Sequence, residues 1–319
     1  MCGRFRRGLE NQLSSLMSIN RRQFLKTSAL ALGGVALARP GLLAARDLSA
    51  AKFFNPFEVV PLGKTGLKLS RFCLGTGVRG GNRESNHTRM GKEKFHALIR
   101  GVFERGGTVF DLADLYGTHP FLIPALKEIP REKYTIISKL WFHKGGLPEP
   151  ERPDADVVIE RFLKELGTDY IDLLLLHCLT TPKWNEEFRK QMEIVSKYKA
   201  KGAIRAHGIS CHSIEALEAA VAEPWVQSVH ARINPYGMSM DGPAEKVAPV
   251  LKKLHDAGKG VIGMKIIGEG KLRNEPAKLD ESIKYVVQLG SVDILNVGCE
   301  NLEEVDDFTA RVRKVPVPA

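Results

Sequence analysis

Four side chains that together can deliver a proton to a carbonyl oxygen stand at the ends of successive apolar runs. Asp111 and Tyr116 follow Thr108-Val-Phe, Lys139 follows Tyr134–Ser138, and His177 follows Tyr170–Leu176. A phenol is a weak acid near neutrality, because its reference pKa is about 10. A lysine cation beside it stabilises the phenolate and lowers that value. An aspartate keeps the lysine charged and aimed. An imidazole hydrogen-bonds the substrate oxygen or relays its proton. Singly, each has a structural explanation: a lysine after a strand often closes an interior ion pair, and a histidine after an apolar strand is often a satisfied core residue. Four of them on successive strand ends point to chemistry.

Those side chains need a scaffold that brings strand ends to one rim. Residues 57–315 alternate between strand-like and helix-like patterns. Val59–Ser70 reads as a hairpin turning at Gly63 to Gly66,. Short apolar runs follow at Phe72–Gly75, Thr108–Asp111, Tyr134–Ser138, Tyr170–Leu176, Ala206–Ser210, Val226–Ile233, Gly260–Ile266 and Ile294–Val297. Between them lie amphipathic stretches: Glu93–Arg105, Asp156–Leu166, Asn185–Lys201, Ile214–Val221, Ala244–Ala257 and Leu279–Gln288, with Leu302–Val312 last,. The run at Tyr170–Leu176 is nearly continuous in apolar residues, as a strand buried on both faces requires. Eight βα units in this length predict an α/β fold, a (β/α)8 TIM barrel with an N-terminal β-hairpin at the barrel bottom. A doubly wound sheet is the rival. Gly75-Thr-Gly77-Val-Arg-Gly80 approaches its dinucleotide fingerprint, but no clear helix opens there and no acid is placed for a ribose.

Composition constrains the partners. The chain has 319 residues and a formal charge of +10, with 43% hydrophobic and 26% charged residues. These values exclude a disordered or multi-span membrane chain. Of the excess charge, +6 falls in residues 1–50 and only +4 in the remainder. With no dense basic run, RNP-like motif or zinc-finger spacing in the body, nucleic acid is not an expected partner. The front segment has the order of an export leader: Asn20-Arg-Arg-Gln-Phe-Leu-Lys26, a short apolar stretch, then Ala36-Leu-Ala38,. The paired arginines resemble the twin-arginine (Tat) translocation signal. The expected organisation is therefore a leader over residues 1–50 and a barrel over residues 57–319. The expected location is outside the cytoplasm, in the periplasm, with the Tat machinery as a transient partner and no membrane span after processing. An uncleaved anchor is the alternative, a second cleavage region lies near Leu48-Ser-Ala50, and Met17 is a candidate initiator.

The body resembles the aldo-keto reductase family. The motif Asp111-x-Ala-x-x-Tyr-Gly117 carries the likeness, with Leu112 where the family has Thr. So do Leu62-Gly-Lys-Thr-Gly-Leu-Lys-Leu-Ser70, Leu74-Gly-Thr76, Leu166-Gly-Thr-Asp-Tyr-Ile-Asp-Leu-Leu-Leu-Leu-His177 and Lys201-Gly-Ala-Ile-Arg-Ala-His-Gly-Ile-Ser210. The resemblance implies reduction of an aldehyde or ketone by hydride from NADPH or NADH. It implies Tyr116 as the acid, Lys139 and Asp111 tuning it, and His177 orienting a small carbonyl substrate. For the cofactor it implies Gly75, Thr76, Ser210, Cys211 (the family's Asn), His230 (its Gln), and Met264 at the stacking aromatic, with Lys265 next. Gly268, Gly270, Lys271 and Leu272 resemble the segment that wraps the diphosphate. Gly298 and Glu300 stand where basic residues for a 2′-phosphate are usual, which leaves the choice of nucleotide open. Trp141 and Phe142 are expected to line the substrate mouth. No cysteine or histidine pair has metal-ligand spacing, and no cysteine-rich extension for an iron–sulfur cluster is present, so no metal is expected. A Cys178–Cys211 bridge is compatible with export. The alternative function is an exported nucleotide-binding or redox-sensing barrel with little turnover, suggested by the altered cofactor positions.

Overall fold

A computed structural model describes residues 52–318. The leader read over residues 1–50 lies outside the described residues. Eight parallel strands close into a barrel: β3 (Phe72–Gly75), β4 (Val109–Asp111), β5 (Thr135–Leu140), β6 (Ile171–Leu179), β7 (Ile204–Cys211), β8 (Ser228–Arg232), β9 (Gly260–Met264) and β10 (Ile294–Val297), with β10 returning to pair with β3. The expected barrel and hairpin are therefore both present. The hairpin consists of β1 (Val59–Pro61) and β2 (Lys68–Ser70), paired antiparallel.

Strand periodicity divides the barrel into layers. Side chains two residues apart share a face. The inward positions near the strand starts are apolar: Cys73, Val109, Ile137, Leu173, Leu175, Ala206, Ile262 and Ile294 pack with Leu62, Leu67 and Leu69 of the hairpin. The hairpin thus plugs the bottom and keeps water from it. Two residues further along six of the strands, the same face carries Gly75, Asp111, Lys139, His177, Met264 and Asn296, and β8 adds His230. The site is that second layer. Outward positions pack against the helices in a larger apolar cluster that includes Phe72, Phe110, Leu174, Ile209 and Val297.

The helices deviate from the periodic reading in informative places. The stretch expected as one helix over Asn185–Lys201 forms Trp184–Glu187 and then Arg189–Ala200. The helix His119–Ala125 escapes a periodicity search, being short and containing Pro120 and Pro124. β6 runs two residues past His177, to Leu179, with a register shift against β7. Cys178 there takes a left-handed backbone, φ 61°. The described chain begins beside its end, since Phe54 N–H donates to Val315 O at 2.9 Å.

Candidate active site

The polar layer converges on Tyr116. This residue sits in a single turn, Asp114–Tyr116, directly after β4. The backbone of residues 77–83 folds over the turn. A Cβ on Gly77 would lie 2.3 Å from the Tyr116 Cζ, and one on Gly117 (φ 66°) would lie 1.8 Å from Arg83 O. The glycines that imitate a dinucleotide fingerprint in the sequence therefore let the chain close on a phenol. Asp114, almost fully buried, is gripped by Arg83 at 3.0 Å and Arg161 at 2.6 Å, which anchors the turn from below.

Lys139 Nζ donates to Asp111 Oδ1 at 2.5 Å and to the Leu112 carbonyl at 2.9 Å. It lies 4.9 Å from the centre of the Tyr116 ring. Asn296 Nδ2 donates to the other Asp111 oxygen at 2.8 Å. His230 Nε2 approaches Oδ1 at 3.2 Å without hydrogen-bond alignment. Burial alone would raise the Asp111 pKa. The Lys139 charge, followed by His230, overrides it and holds the carboxyl below its usual range,. Asp111 is thus an anion.

Tyr116 Oη lies 3.4 Å from His177 Nε2, with the two rings edge to face at 5.7 Å. Lys139 is expected to lower the phenol pKa. In the structure burial, then the Asp111 charge, push Tyr116 well above its ordinary value, while Lys139 is paired with Asp111. The hydroxyl is therefore protonated. Burial and the Lys139 charge push His177 well below its ordinary value, so it is a neutral imidazole at neutral pH. Trp141 packs edge-on to His177 at 5.5 Å. Phe142 instead packs against Phe188 at 5.9 Å, on the fringe of the outer apolar layer.

A cavity of about 480 Å³ opens beside Tyr116. Of the positions singled out in the sequence, Gly75, Asp111, Tyr116, Met264, Lys265, Gly270, Lys271, Gly298 and Glu300 line it. Thr76, Lys139, Trp141, Phe142, His177, Ser210, Cys211, His230, Gly268 and Leu272 do not. Thr76 Oγ1 is buried and donates to Asp111 O at 2.8 Å. Cys211 and Leu272 pack in the outer apolar layer. The Ser210 hydroxyl is buried without a partner. His230, fully buried, faces Asp111, as noted. The cavity also uses residues the sequence did not single out: Arg79, Asn86, Glu269, Arg273 and Asn296. Asn296 could have been found, since it stands two residues after inward-facing Ile294, one step from the barrel centre. Arg79 and Asn86 sit in an aperiodic segment that gives no such signal.

Cys178 and Cys211 are both free. Cys178 Sγ lies 3.2 Å from His212 Nε2, and Arg232 contacts the other ring nitrogen. Burial raises the Cys178 thiol to about 12 and lowers His212 to about 3. Both are neutral, so the pair is a hydrogen-bonded contact behind His177, whose ring lies 6.5 Å from that of His212.

The family described as "Aldo/keto reductase family" matches residues 71–307. The chain is 27% identical over 220 residues to probable aldo-keto reductase 1 of Glycine max, covering 67% of this chain and 60% of that protein. It is 28% identical over 169 residues to an NADH-specific methylglyoxal reductase of Escherichia coli K12, covering 47% and 50%. The chain thus spans between half and three fifths of the length of these curated relatives. Among solved structures, a putative aldo-keto reductase from Pseudomonas aeruginosa superposes with a TM-score of 0.65 at 23% identity, over 80% of this chain and 94% of that one. An aldo/keto reductase from Klebsiella pneumoniae in complex with NADP and acetate gives 0.60 at 19%, over 81% and 90%. At these identities the structures speak for the fold.

Proposed function

This chain belongs to the aldo/keto reductase family, and we propose that it reduces a small aldehyde or ketone using a nicotinamide dinucleotide, with Tyr116 as the proton donor. The observation that carries this reading is the pairing of a protonated phenol with a neutral imidazole, 3.4 Å apart, above a buried Lys139–Asp111 ion pair. The cavity suits a dinucleotide. It extends from Tyr116 past Met264 to Lys271 and Glu300, and its walls carry cations that suit a diphosphate.

When bound, the nicotinamide supplies the hydride to the carbonyl carbon. The protein supplies the rest. His177, neutral, donates Nε2–H to the carbonyl oxygen and fixes its direction. Tyr116 passes its hydroxyl proton to that oxygen and becomes a phenolate. Lys139, 4.9 Å from the ring, offsets the new negative charge,. Asn296 holds Asp111 by a hydrogen bond, and Asp111 keeps Lys139 beneath the ring. Burial raises the Tyr116 pKa, so the hydroxyl carries its proton in the resting site.

Replacing Tyr116 by Phe tests the role. Carbonyl reduction, followed by loss of nicotinamide absorbance over a panel of small aldehydes and ketones, should fall by about 10²- to 10⁴-fold. Nucleotide affinity should stay within about twofold, since the variant keeps the ring. Unchanged reduction by Tyr116→Phe would overturn the acid assignment. Nucleotide binding with no reduction by the wild type would overturn the enzyme.

The same proposal includes export of the folded barrel by the twin-arginine route through a leader over residues 1–50, ahead of a barrel over residues 57–319. Among the described residues no helix is long and apolar enough to cross a membrane. Replacing Arg21 and Arg22 by Lys should leave the precursor unprocessed in the cytoplasm. Export that persists in that variant would refute the route.

A further inference from the structure

The charges along the cleft are sorted by position. Midway, Arg79 and Lys271 line the cavity and form no ion pair with the described residues. Lys265 is paired to Glu269 at 2.7 Å. At the end remote from Tyr116 the pattern reverses. Arg273 donates to Glu300 Oε1 at 3.1 Å, meets Glu304 Oε2 at 2.8 Å, and donates to the Gly298 carbonyl at 2.8 Å. Asn86 Nδ2 donates to Glu300 Oε2 at 3.0 Å, and the Glu300 N–H donates to Glu304 Oε2 at 2.9 Å.

This end opens onto a second cavity of about 370 Å³, which shares Ile267, Arg273 and Val297 with the first and adds Glu303, Glu304 and Asp307. Arg273 is the one guanidinium in its wall. With the reacting ring at Tyr116, the remaining length of a dinucleotide filling this cleft would pass Arg79 and Lys271. Its adenosine half would then lie at the Glu300 end. Carboxylates accept hydrogen bonds from a ribose diol, whereas a free arginine favours a phosphate on that ribose. Here the arginine is held by two carboxylates and a carbonyl. Its contacts are only about three-tenths exposed, so water screens them incompletely,. A phosphate monoester at this point meets a net negative wall.

We infer that this chain selects the dinucleotide without a 2′-phosphate, NADH over NADPH, because Glu300 and Glu304 close Arg273 at the adenosine end of the cleft. The inference rests on the reductase reading above, and it names the cofactor class of that same site. Arg79 and Lys271 would hold the diphosphate, which either nucleotide supplies equally. Discrimination is confined to the Arg273 end.

Separate titrations of the full chain with NADH and NADPH test it, read by quenching of tryptophan fluorescence and enhancement of nicotinamide emission. The Kd for NADH should be lower by at least about tenfold. In the double variant Glu300→Gln/Glu304→Gln each position keeps an acceptor while Arg273 loses its ionic partners. The ratio should narrow by about tenfold, mainly through tighter NADPH. A melting temperature near the wild-type value checks that the variant is folded. Equal affinities, or tighter NADPH, in the wild type overturn the inference and leave the reductase standing. A wild-type preference that the double variant does not move overturns the assignment to these carboxylates. If neither nucleotide binds, the reductase reading falls with it.

Discussion

Asp111 and Lys139 form the ion pair on which the site rests, and a double-mutant cycle separates its structural part from its chemical part. Both side chains are more than nine-tenths buried. Asp111→Asn preserves shape but leaves the Lys139 cation with neutral acceptors alone, the substituted amide oxygen and the Leu112 carbonyl,. An unpaired buried charge of this kind costs about 3–5 kcal/mol. For a fold of this size that lowers the melting temperature by about 6–20 °C. Lys139→Met removes the cation, but Asp111 keeps the Asn296 hydrogen bond and the His230 contact. Its cost should be smaller, about 1–3 kcal/mol. The double variant buries neither charge and should return to within about 1 kcal/mol of wild type. Denaturant unfolding followed by circular dichroism measures all four proteins. Carbonyl reduction should remain lost in the double variant, since no cation then faces the Tyr116 phenolate. Strictly additive costs, or single variants that each lose less than about 1 kcal/mol, would refute a tightly coupled pair. Activity recovered together with stability would refute the chemical role of Lys139.

Two other perturbations probe the supports of the site. Gly77→Ala places a methyl 2.3 Å from the Tyr116 ring; kcat should drop and stability should fall by about 1–3 kcal/mol. Gly81→Ala, where a Cβ meets nothing within 4 Å, should change neither, and equal behaviour of the two variants would contradict the packing argument. Glu165 lies behind the site, accepting from Arg161 at 2.8 Å and paired with His119 at 2.8 Å. Burial opposes its ionisation, yet hydrogen bonds from His119 and Arg161 lower its pKa to about 2. A value depressed on folding stabilises the protein above the ordinary carboxyl pKa, and that stability is lost as pH falls towards the folded value. Glu165→Gln should therefore cost about 2–3 kcal/mol at neutral pH, with the gap to wild type closing between pH 4.5 and about 2,. A gap that stays constant across that window would rule out the ion pair as its source.

The barrel and its strand order were legible because both depend on local periodicity. The apolar run at Tyr170–Leu176 can be satisfied only by burial on two faces, and glycines such as Gly167 and Gly202 end helices wherever the chain stands. The Asp111, Tyr116, Lys139 and His177 set was legible for a related reason. In a barrel, the strand end alone fixes the rim that a side chain reaches. What the one-dimensional pattern misassigned were the directions of individual side chains. Cys211 follows Ser210 by one residue, so it turns to the opposite face and packs outward. His230 points inward as its register requires, but its neighbour there is Asp111, contributed from four strands away around the barrel.

The sequence by itself determined the periodicities, the net charge of each segment and the residue types at each strand end. Those properties belong to one residue and its near neighbours. The tertiary structure decided which charges meet. Asn296 reaches Asp111 across 185 residues, and Glu300 and Arg273 close on each other across 27. It also set the surroundings of Tyr116. The lysine expected to acidify that phenol is paired with Asp111, and burial raises the phenol pKa. Coulomb energy depends on distance and on the dielectric around the pair, and neither is defined until the chain has closed on itself.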